Sequence, residues 1–465
     1  MYCKVMKRCF SGMLLFALVL AFGAPASANL LYTAQTYYSN TKLGKIDVDT
    51  AMILTSDSIG GDWGQGIFPF RDAQNRNRVA VTLYQGGADT IKILDPLSFS
   101  WSTPVATVSN DAQSNIRKMV SLGQYLYGIS YGNNPYGGQP SDIANVRRFD
   151  MTGDNYVFDN NTGFAYTPAV GQGHGEGLVA FNNHLYAILS TTMGGYPFTY
   201  APNKLVKLNA DLNVVTSIDL GGKNTDGGTP SAYFLSPTDE MSVSSADLYI
   251  TSWGGYQPTD TSYNPESQIE RVNLNNLNHR TLVTGEWMRR RDPTWNHHFT
   301  AVAIHGRSAY IQATTWNRLP GTGGIGGQVR IYKRDPVLIE NLLPWHKIQS
   351  LNTDGGWRVG MVVDGNYLYV AAGRNLYCYR LPVMSYSVPT VFGPNGTISL
   401  GGDISAFAFV PYLRDRVSAA EAALKELKQA KADAGDEKDS GGGCDAGFGW
   451  LLLLTVVPIA LRRRG

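Results

Sequence analysis

Cysteine and charge are both scarce in this chain. Four of its 465 residues are cysteine, and two of them, Cys3 and Cys9, lie in the N-terminal leader described below, so no disulfide framework is expected. Charged residues make up 16% of the sequence and the net charge is +2, which gives no indication of nucleic-acid binding. The H-E-x-x-H, P-loop and C-x-x-C motifs are missing, and with them the sequence patterns of several common enzyme classes.

What the chain has instead is a two-part pattern of strands that recurs along its length. The clearest copy is Asn366–Leu381, in which two apolar, tyrosine-containing runs flank a Gly-Arg-Asn turn, a pattern typical of a β-hairpin. The first half of the pattern is an apolar residue followed by tyrosine, at Leu31-Tyr32, Leu83-Tyr84, Leu126-Tyr127, Leu185-Tyr186, Leu248-Tyr249, Ala309-Tyr310 and Leu368-Tyr369. The second half is an alternating strand that often ends at Asp or Asn, at Leu43–Asp47, Thr90–Asp95, Asn145–Asp150, Lys204–Asn209, Gln268–Asn273, Gln328–Lys333 and Asn375–Arg380.

Copies spaced roughly 45–65 residues apart fit four-stranded units with loops of variable length. Small apolar runs such as Leu178–Phe181 and Thr300–Ile304 precede most of the tyrosine strands, and they predict an inner strand packed on both faces. The first copy has no inner strand of its own, whereas Ile404–Val410 has inner-strand character and no partner after it. We therefore expect an all-β fold over residues 29–413, a seven-bladed β-propeller closed by pairing of its N- and C-terminal strands.

Both ends of the chain indicate export. Met1–Ala28 contains basic residues, an apolar run and then Ala26-Ser27-Ala28, which is the order of a secretory signal peptide cleaved after Ala28.

Beyond the propeller, Arg414–Ala434 is rich in Ala, Lys and Glu and has a narrow apolar stripe, so residues 414–439 are predicted to form a helical stalk and linker. A helix folded back on the propeller is the alternative, since a narrow stripe suits either arrangement.

The C-terminal residues 440–465 contain Gly-Gly-Gly-Cys, a short apolar span over Trp450–Leu461, and Arg462-Arg463-Arg464. This order resembles the Synerg-CTERM family of C-terminal protein-sorting signals, and the resemblance is confined to these residues. It implies export, transient anchoring by a short transmembrane segment, processing near Gly443 and Cys444, and surface display. A permanent tail anchor and acylation of Cys444 are alternatives, and the arginines would keep the propeller outside the membrane.

The loops that lead into the inner strands contain most of the candidate site residues. Their glycines let the backbone approach the ring axis, which would bring polar and aromatic side chains to one mouth of the propeller. These residues are Asp62, Trp63, His174, Glu176, His297, His298, Asp354, Trp357, Arg358 and Asp403. The hairpin loops expected on the same face are long and aromatic, and they add Trp253 and Trp316 as ligand-binding candidates.

Two interpretations of the histidines remain open. His174 with Glu176, or the pair His297-His298, would suit metal binding or proton transfer, but neither has a recognised metal-ligand spacing. The simpler interpretation is that they satisfy the backbone of glycine-rich loops, so no metal and no cofactor is expected. Similarly, Asp150 and Asp154 resemble half of a calcium loop but are better explained as a hairpin turn. Arg289-Arg290-Arg291 is expected to be a solvated loop.

Two classes of function follow. The first is a surface-displayed module that binds a glycan, peptide or protein through Tyr, Trp, Asn and Gly in its loops. Its other partners would be the membrane, through the C-terminal tail, and the export and sorting machinery. The alternative is an envelope hydrolase or lyase at the axial mouth, with His174, Glu176 and His298 as acid, base or ligand. Convergence of these side chains with a carboxylate in a deep pocket would favour the enzyme.

Overall fold

A computed structural model of the protein places Ser27–Leu413 in one compact unit. The structure describes residues 29–409 except 37–38, 48–51, 60–62, 86–87, 97, 102–105, 109–115, 132–144, 154–155, 194–198, 224–231, 235–246, 255–265, 294, 296, 306–307, 315–327, 335–345, 353–358, 365–366, 385–386, 388–396 and 401–402. The predicted signal peptide, stalk and sorting signal, with Ala28, Gly443 and Cys444, lie outside the described residues. Within those residues, no helix is both long and apolar enough to cross a membrane.

The described strands pair into seven antiparallel sheets, which we number along the chain. Sheet 1 contains β1 (Asn29–Thr36), β2 (Ser39–Asp47) and β3 (Met52–Ser58), and sheet 2 contains β4 (Trp63–Arg71), β5 (Asn77–Gln85), β6 (Ala88–Asp95), β7 (Ser100–Trp101) and β8 (Ala106–Val108). Sheet 3 contains β9 (Ile116–Leu122), β10 (Tyr125–Ser130), β11 (Val146–Asp150) and β12 (Val157–Phe164), and sheet 4 contains β13 (Gln172–Phe181), β14 (His184–Met193), β15 (Thr199–Leu208) and β16 (Val214–Lys223). Sheet 5 contains β17 (Ala232–Phe234), β18 (Asp247–Ser252), β19 (Gln268–Asn273) and β20 (His279–Thr284), and the helix α1 (Gly285–Arg291) follows it. Sheet 6 contains β21 (His298–His305), β22 (Ser308–Thr314), β23 (Gln328–Arg334) and β24 (His346–Asn352), and sheet 7 contains β25 (Val359–Asp364), β26 (Tyr367–Ala372), β27 (Asn375–Arg380) and β28 (Thr397–Ser399). The last strand, β29 (Asp403–Phe409), belongs to sheet 1.

The sheets form a closed ring. The last strand, β29, pairs antiparallel with β1, with Leu30 opposite Phe409 and Tyr32 opposite Phe407. The innermost strands contact one another in the order β29, β4, β9, β13, β17, β21, β25 and back to β29. Their apolar runs, such as Leu178–Phe181, lie between neighbouring sheets, as expected for strands covered on both faces. The expectation of an all-β propeller closed by its first and last strands is confirmed.

At three of the described boundaries, the tyrosine of the repeat joins one sheet to the next. Five of these tyrosines are almost completely buried in the second strands of sheets 3 to 7, at Tyr127, Tyr186, Tyr249, Tyr310 and Tyr369. The Tyr127 hydroxyl donates to the carbonyl of Ala210 at 2.7 Å, and the Tyr186 hydroxyl donates to that of Leu274 at 3.0 Å. Both carbonyls lie in the turn after the third strand of the next sheet. The Tyr310 hydroxyl makes a related bond, accepting from the backbone N–H of Val383 at 3.3 Å.

The Asp or Asn that ends the second half of the repeat shapes that same turn. The Oδ1 atom of Asn209 accepts from the backbone N–H groups of Asp211 and Asn213, and the Oδ1 of Asn273 accepts from that of Asn275. Asp150 bonds the N–H of Thr152 in the same way, which supports the hairpin-turn interpretation of this residue. Ala210 and Leu274, whose carbonyls accept the tyrosine bonds, immediately follow Asn209 and Asn273. At both boundaries, the tyrosine half of the repeat in one sheet therefore contacts the Asn half of the repeat in the next sheet.

Sheets 1 and 2 depart from this pattern. In sheet 4, Leu185 lies opposite Leu208, the residue before the terminal Asn. The equivalent pairs are Leu30 with Ile46 in sheet 1 and Val79 with Leu94 in sheet 2. The tyrosine position is therefore occupied by Leu31 and Ala80, and the alignments based on Leu31-Tyr32 and Leu83-Tyr84 are wrong in register. A dipeptide alone does not set the pairing register, because the register depends on which side chains along the whole strand face the core.

The arginine run also differs from expectation, because Arg289–Arg291 forms the last turn of α1 rather than a loop. The Thr284 hydroxyl caps the start of this helix by accepting from the N–H of Trp287 at 3.1 Å. Positive charge in the last turn interacts favourably with the helix dipole. Arg291 also lies over the Trp287 ring, 4.6 Å from its centroid.

We predict that Tyr186→Phe lowers the free energy of unfolding by about 1 kcal/mol, because the ring still packs but the Leu274 carbonyl loses its donor. Tyr125→Phe is the matched control, since Tyr125 is in a second strand and stacks under Arg148 through its ring. Chemical denaturation of the three proteins measures the difference. Equal stabilities for the two variants would contradict the role given to the Tyr186 hydroxyl.

Candidate functional site

In each sheet, the start of the first strand lies beside the end of the antiparallel second strand. We call this side of the sheets the upper edge. In sheet 4, Gln172 lies opposite Thr192, and in sheet 6, His298 lies opposite Thr314. Most buried polar residues of the described chain lie at this edge: Thr41, Ser130, Asn145, His174, Glu176, Ser190, Thr191, Thr192, Asn203, Thr251, Ser252, Ser267, Gln268, His297, His298, Thr300, Thr314 and Asn375. A polar interior on one side of an apolar ring is the main sign of a site.

A β-bulge recurs near the start of the first strands. The pairing register shifts at Arg117 in β9, Glu176 in β13 and Thr300 in β21, and it shifts at the equivalent backbone positions of β4 and β29, Gln65 and Ser405. A bulge takes one residue out of the strand's alternation and re-aims its side chain. The bulged position is polar in all five strands.

His174 lies at the boundary between sheets 3 and 4. Its side chain is fully buried and stacks on the ring of Tyr131, with 4.1 Å between centroids and 15° between planes. Its Nδ1 is 3.2 Å from the Tyr131 carbonyl oxygen, which can only accept, so the proton is on Nδ1. Gly175 permits this close approach, because a Cβ at that position would lie 2.4 Å from the Ser130 carbonyl oxygen.

Glu176 and Arg117 complete this cluster. The Ser190 hydroxyl donates to Oε1 of Glu176 at 3.3 Å, and Oε2 is 3.9 Å from Nε of Arg117 on the neighbouring sheet. The Arg117 guanidinium lies 4.9 Å from the centroid of the Tyr131 ring. The four residues Arg117, Tyr131, His174 and Glu176, which we call the sheet 3–4 cluster, therefore join an opposite-charge pair to a stacked neutral imidazole.

Trp253 and His298 form a second pair at the upper edge. Trp253 is half-buried after β18, and its ring centroid is 6.4 Å from that of His298. The backbone around Trp253 is held by sheet 4, since Gly254 donates to the Lys223 carbonyl at 2.9 Å and Asn203 donates to the Ser252 hydroxyl at 3.0 Å. The buried Glu270 carboxylate fixes the same segment of β16 by accepting from the backbone N–H groups of Gly221 and Gly222.

His297 lies among side chains that hold the loop before β21 in place. Its Nε2 lies 2.8 Å from the Tyr332 hydroxyl. Beside it, Arg330 forms an ion pair with Asp292 and lies over the Trp295 ring, 3.8 Å from the centroid. These contacts fix the loop between α1 and β21. His297 and His298 thus lie in different surroundings, with His297 next to Tyr332 and His298 near Trp253.

The remaining candidates are only partly described. Trp63 is the first residue of β4 and Asp403 the first of β29, so their backbones lie at the upper edge. Asp62, Trp316, Asp354, Trp357 and Arg358 lie outside the described residues. Sequence reasoning missed Arg117, although a charged pair, Arg117-Lys118, within an otherwise apolar first strand was a usable signal.

Burial decides the charge state of the site. It lowers the pKa of His174, His297 and His298 to about 4, so all three imidazoles are neutral at pH 7. Within the described part of the chain, no three His, Cys, Asp or Glu side chains are grouped so that they could hold a metal ion. Neutral imidazoles next to aromatic rings are suited to hydrogen bonding and aromatic contact.

No family model matches the chain, and no curated protein matches it. Among solved structures, it is similar to Kuenenia stuttgartiensis hydrazine synthase at 12% identity, covering 74% of this chain and 90% of that one, with a TM-score of 0.46. It is also similar to a Lactobacillus plantarum protein at 9% identity, covering 82% and 99%, with a TM-score of 0.48. The extracellular domains 1-2 of Drosophila semaphorin 1a match at 8% identity, covering 77% and 86%, with a TM-score of 0.46. The propeller assignment depends on the strand pairing and not on these likenesses.

We predict that stability falls as pH decreases from 6.5 towards 4. Each buried histidine has a pKa below its unfolded value of 6.5, so unfolding takes up protons in this window and stability is fully present only above it. Each adds a slope of up to about 1.4 kcal/mol per pH unit. Denaturation at pH 7.5, 6.5 and 5.5 measures the slope, and His298→Gln should reduce it. Constant stability from pH 7.5 to 5.5 would be incompatible with three buried neutral imidazoles.

Proposed function

We propose that the protein is an exported propeller, displayed at the cell surface, that binds a glycan, peptide or protein partner through the upper edge of its ring. The observation that supports this most strongly is the concentration of buried polar residues at that edge, beside the half-buried Trp253. Aromatic side chains and adaptable polar groups on a rigid scaffold are the usual composition of a recognition surface.

The export part of the proposal rests on the sequence of the two ends. The signal-peptide pattern before Asn29 and the Gly-Cys, apolar and arginine segments after Ser440 support translocation followed by sorting. The membrane would be contacted through the C-terminal tail, at least before processing near Gly443 and Cys444. Cell fractionation and protease treatment of intact cells test this part directly. A full-length chain that stays protected inside cells would contradict it.

The binding surface can be tested separately with two tryptophan variants of the full chain. Trp253 is at the upper edge, whereas Trp101 is on β7, outside the inner strands, beneath Lys92. On arrays of glycans, peptides and envelope proteins, we expect Trp253→Ala to weaken binding about tenfold or more, because aromatic anchors dominate interface energy. Trp101→Ala should bind like the unmodified protein. Equal effects of both changes, or no binding on any array, would contradict an upper-edge site.

A further inference from the structure

The sheet 3–4 cluster contains a buried acceptor that has no partner among the described residues. Nδ1 of His174 is fixed by the Tyr131 carbonyl, so the lone pair of the neutral ring is on Nε2, and Nε2 makes no hydrogen bond. Leaving a buried polar atom unpaired is costly, and native structures do so seldom. A group that donates a hydrogen bond is therefore the chemical complement of this atom.

The surroundings of His174 restrict that group further. Ser190 lies directly opposite His174 and Thr192 lies diagonally across from it on the same face of sheet 4. The Thr192 hydroxyl is also buried without a hydrogen-bond partner. An unpaired acceptor and an unpaired hydroxyl on one face suit a ligand whose own groups both donate and accept, as alcohols do.

The charges of the side chains around His174 distinguish between the possible classes of ligand. Arg117 and Glu176 are close enough to neutralise one another, so the cluster offers no net attraction to an anion or a cation. The Arg117 guanidinium beside Tyr131 disfavours an ammonium or a metal ion at His174, since like charges repel at short range. A neutral polyhydroxylated molecule meets all of these conditions.

We propose that the sheet 3–4 cluster is a subsite for a neutral saccharide, one hydroxyl of which donates to Nε2 of His174 while another exchanges hydrogen bonds with Thr192. This proposal rests on the proposed binding function and narrows it from three partner classes to one. His174 is then a ligand-contacting residue, and Arg117 and Glu176 position the Tyr131 and His174 rings and keep the subsite neutral.

The experiment is calorimetric titration of the full-length protein with neutral oligosaccharides, namely cello-, xylo- and chito-oligosaccharides, and with spermidine and a sulfated sugar as charged probes. His174→Phe keeps a flat ring on Tyr131 but removes both nitrogens. His184→Phe is the matched control, because His184 is in the same sheet but at its opposite edge, with Nδ1 2.7 Å from the Asn182 carbonyl oxygen. If His174→Phe does not fold, Thr192→Val is the second test, because it removes the hydroxyl and changes the shape of the side chain little.

We expect at least one neutral oligosaccharide to bind the unmodified protein. Its affinity should be about tenfold lower for His174→Phe and for Thr192→Val, and unchanged for His184→Phe. Equal affinity of the saccharide for all variants would overturn the subsite, since Nε2 would then be satisfied by water alone. Binding of only spermidine or the sulfated sugar would overturn the ligand class. Binding of no saccharide, with Trp253-dependent binding of a peptide or protein retained, would overturn this inference and leave the proposed function intact.

Discussion

The structure depends on tyrosine hydrogen bonds that cross from sheet 3 to sheet 4, from sheet 4 to sheet 5 and from sheet 6 to sheet 7. A four-stranded sheet cannot cover both of its own faces, so it is stable only when neighbours pack against it. In this chain the packing is oriented by buried tyrosine hydroxyls, which reach the turn after the third strand of the following sheet. Asn209 and Asn273 hold those turns in the conformation that presents the accepting carbonyl. At these two boundaries the repeat is one interaction, with its donor on one sheet and its acceptor on the next. Pairing of β1 with β29 completes the ring.

This arrangement divides the molecule into two functionally different sides. The tyrosine bonds lie at the lower edge, where second strands begin and third strands end, so that side is fixed by backbone geometry. The upper edge holds the bulges and the buried polar residues, and the rigid lower edge lets it accommodate histidines with lowered pKa values and an unpaired acceptor at His174. Such local costs are tolerated where the surrounding structure over-determines the conformation, and sites built on rigid strands keep their geometry.

The sequence was sufficient for the fold because periodicity and repetition are strong signals. Ile404–Val410 was identified as the closing strand from its composition and position alone, and it pairs as expected. Register was harder, since Tyr32 and Tyr84 match the dipeptide yet lie outside the tyrosine position that strand pairing defines. The site was harder still. Bulges are not visible in a hydrophobic pattern, so Glu176 was named for its loop and Arg117 was missed. The contact of His174 with Tyr131 joins residues distant in sequence, which no local pattern reports.

The central claim is that lateral bonds and ring closure make the sheets one cooperative unit. Native-state hydrogen exchange of the full-length protein tests it most directly, by following the amides of the second strands β10, β14, β18, β22 and β26. A cooperative ring predicts that these amides share one free energy of opening, equal to that of global unfolding. Sheets that open one after another with separate, increasing free energies, as in an open repeat array, would contradict the account.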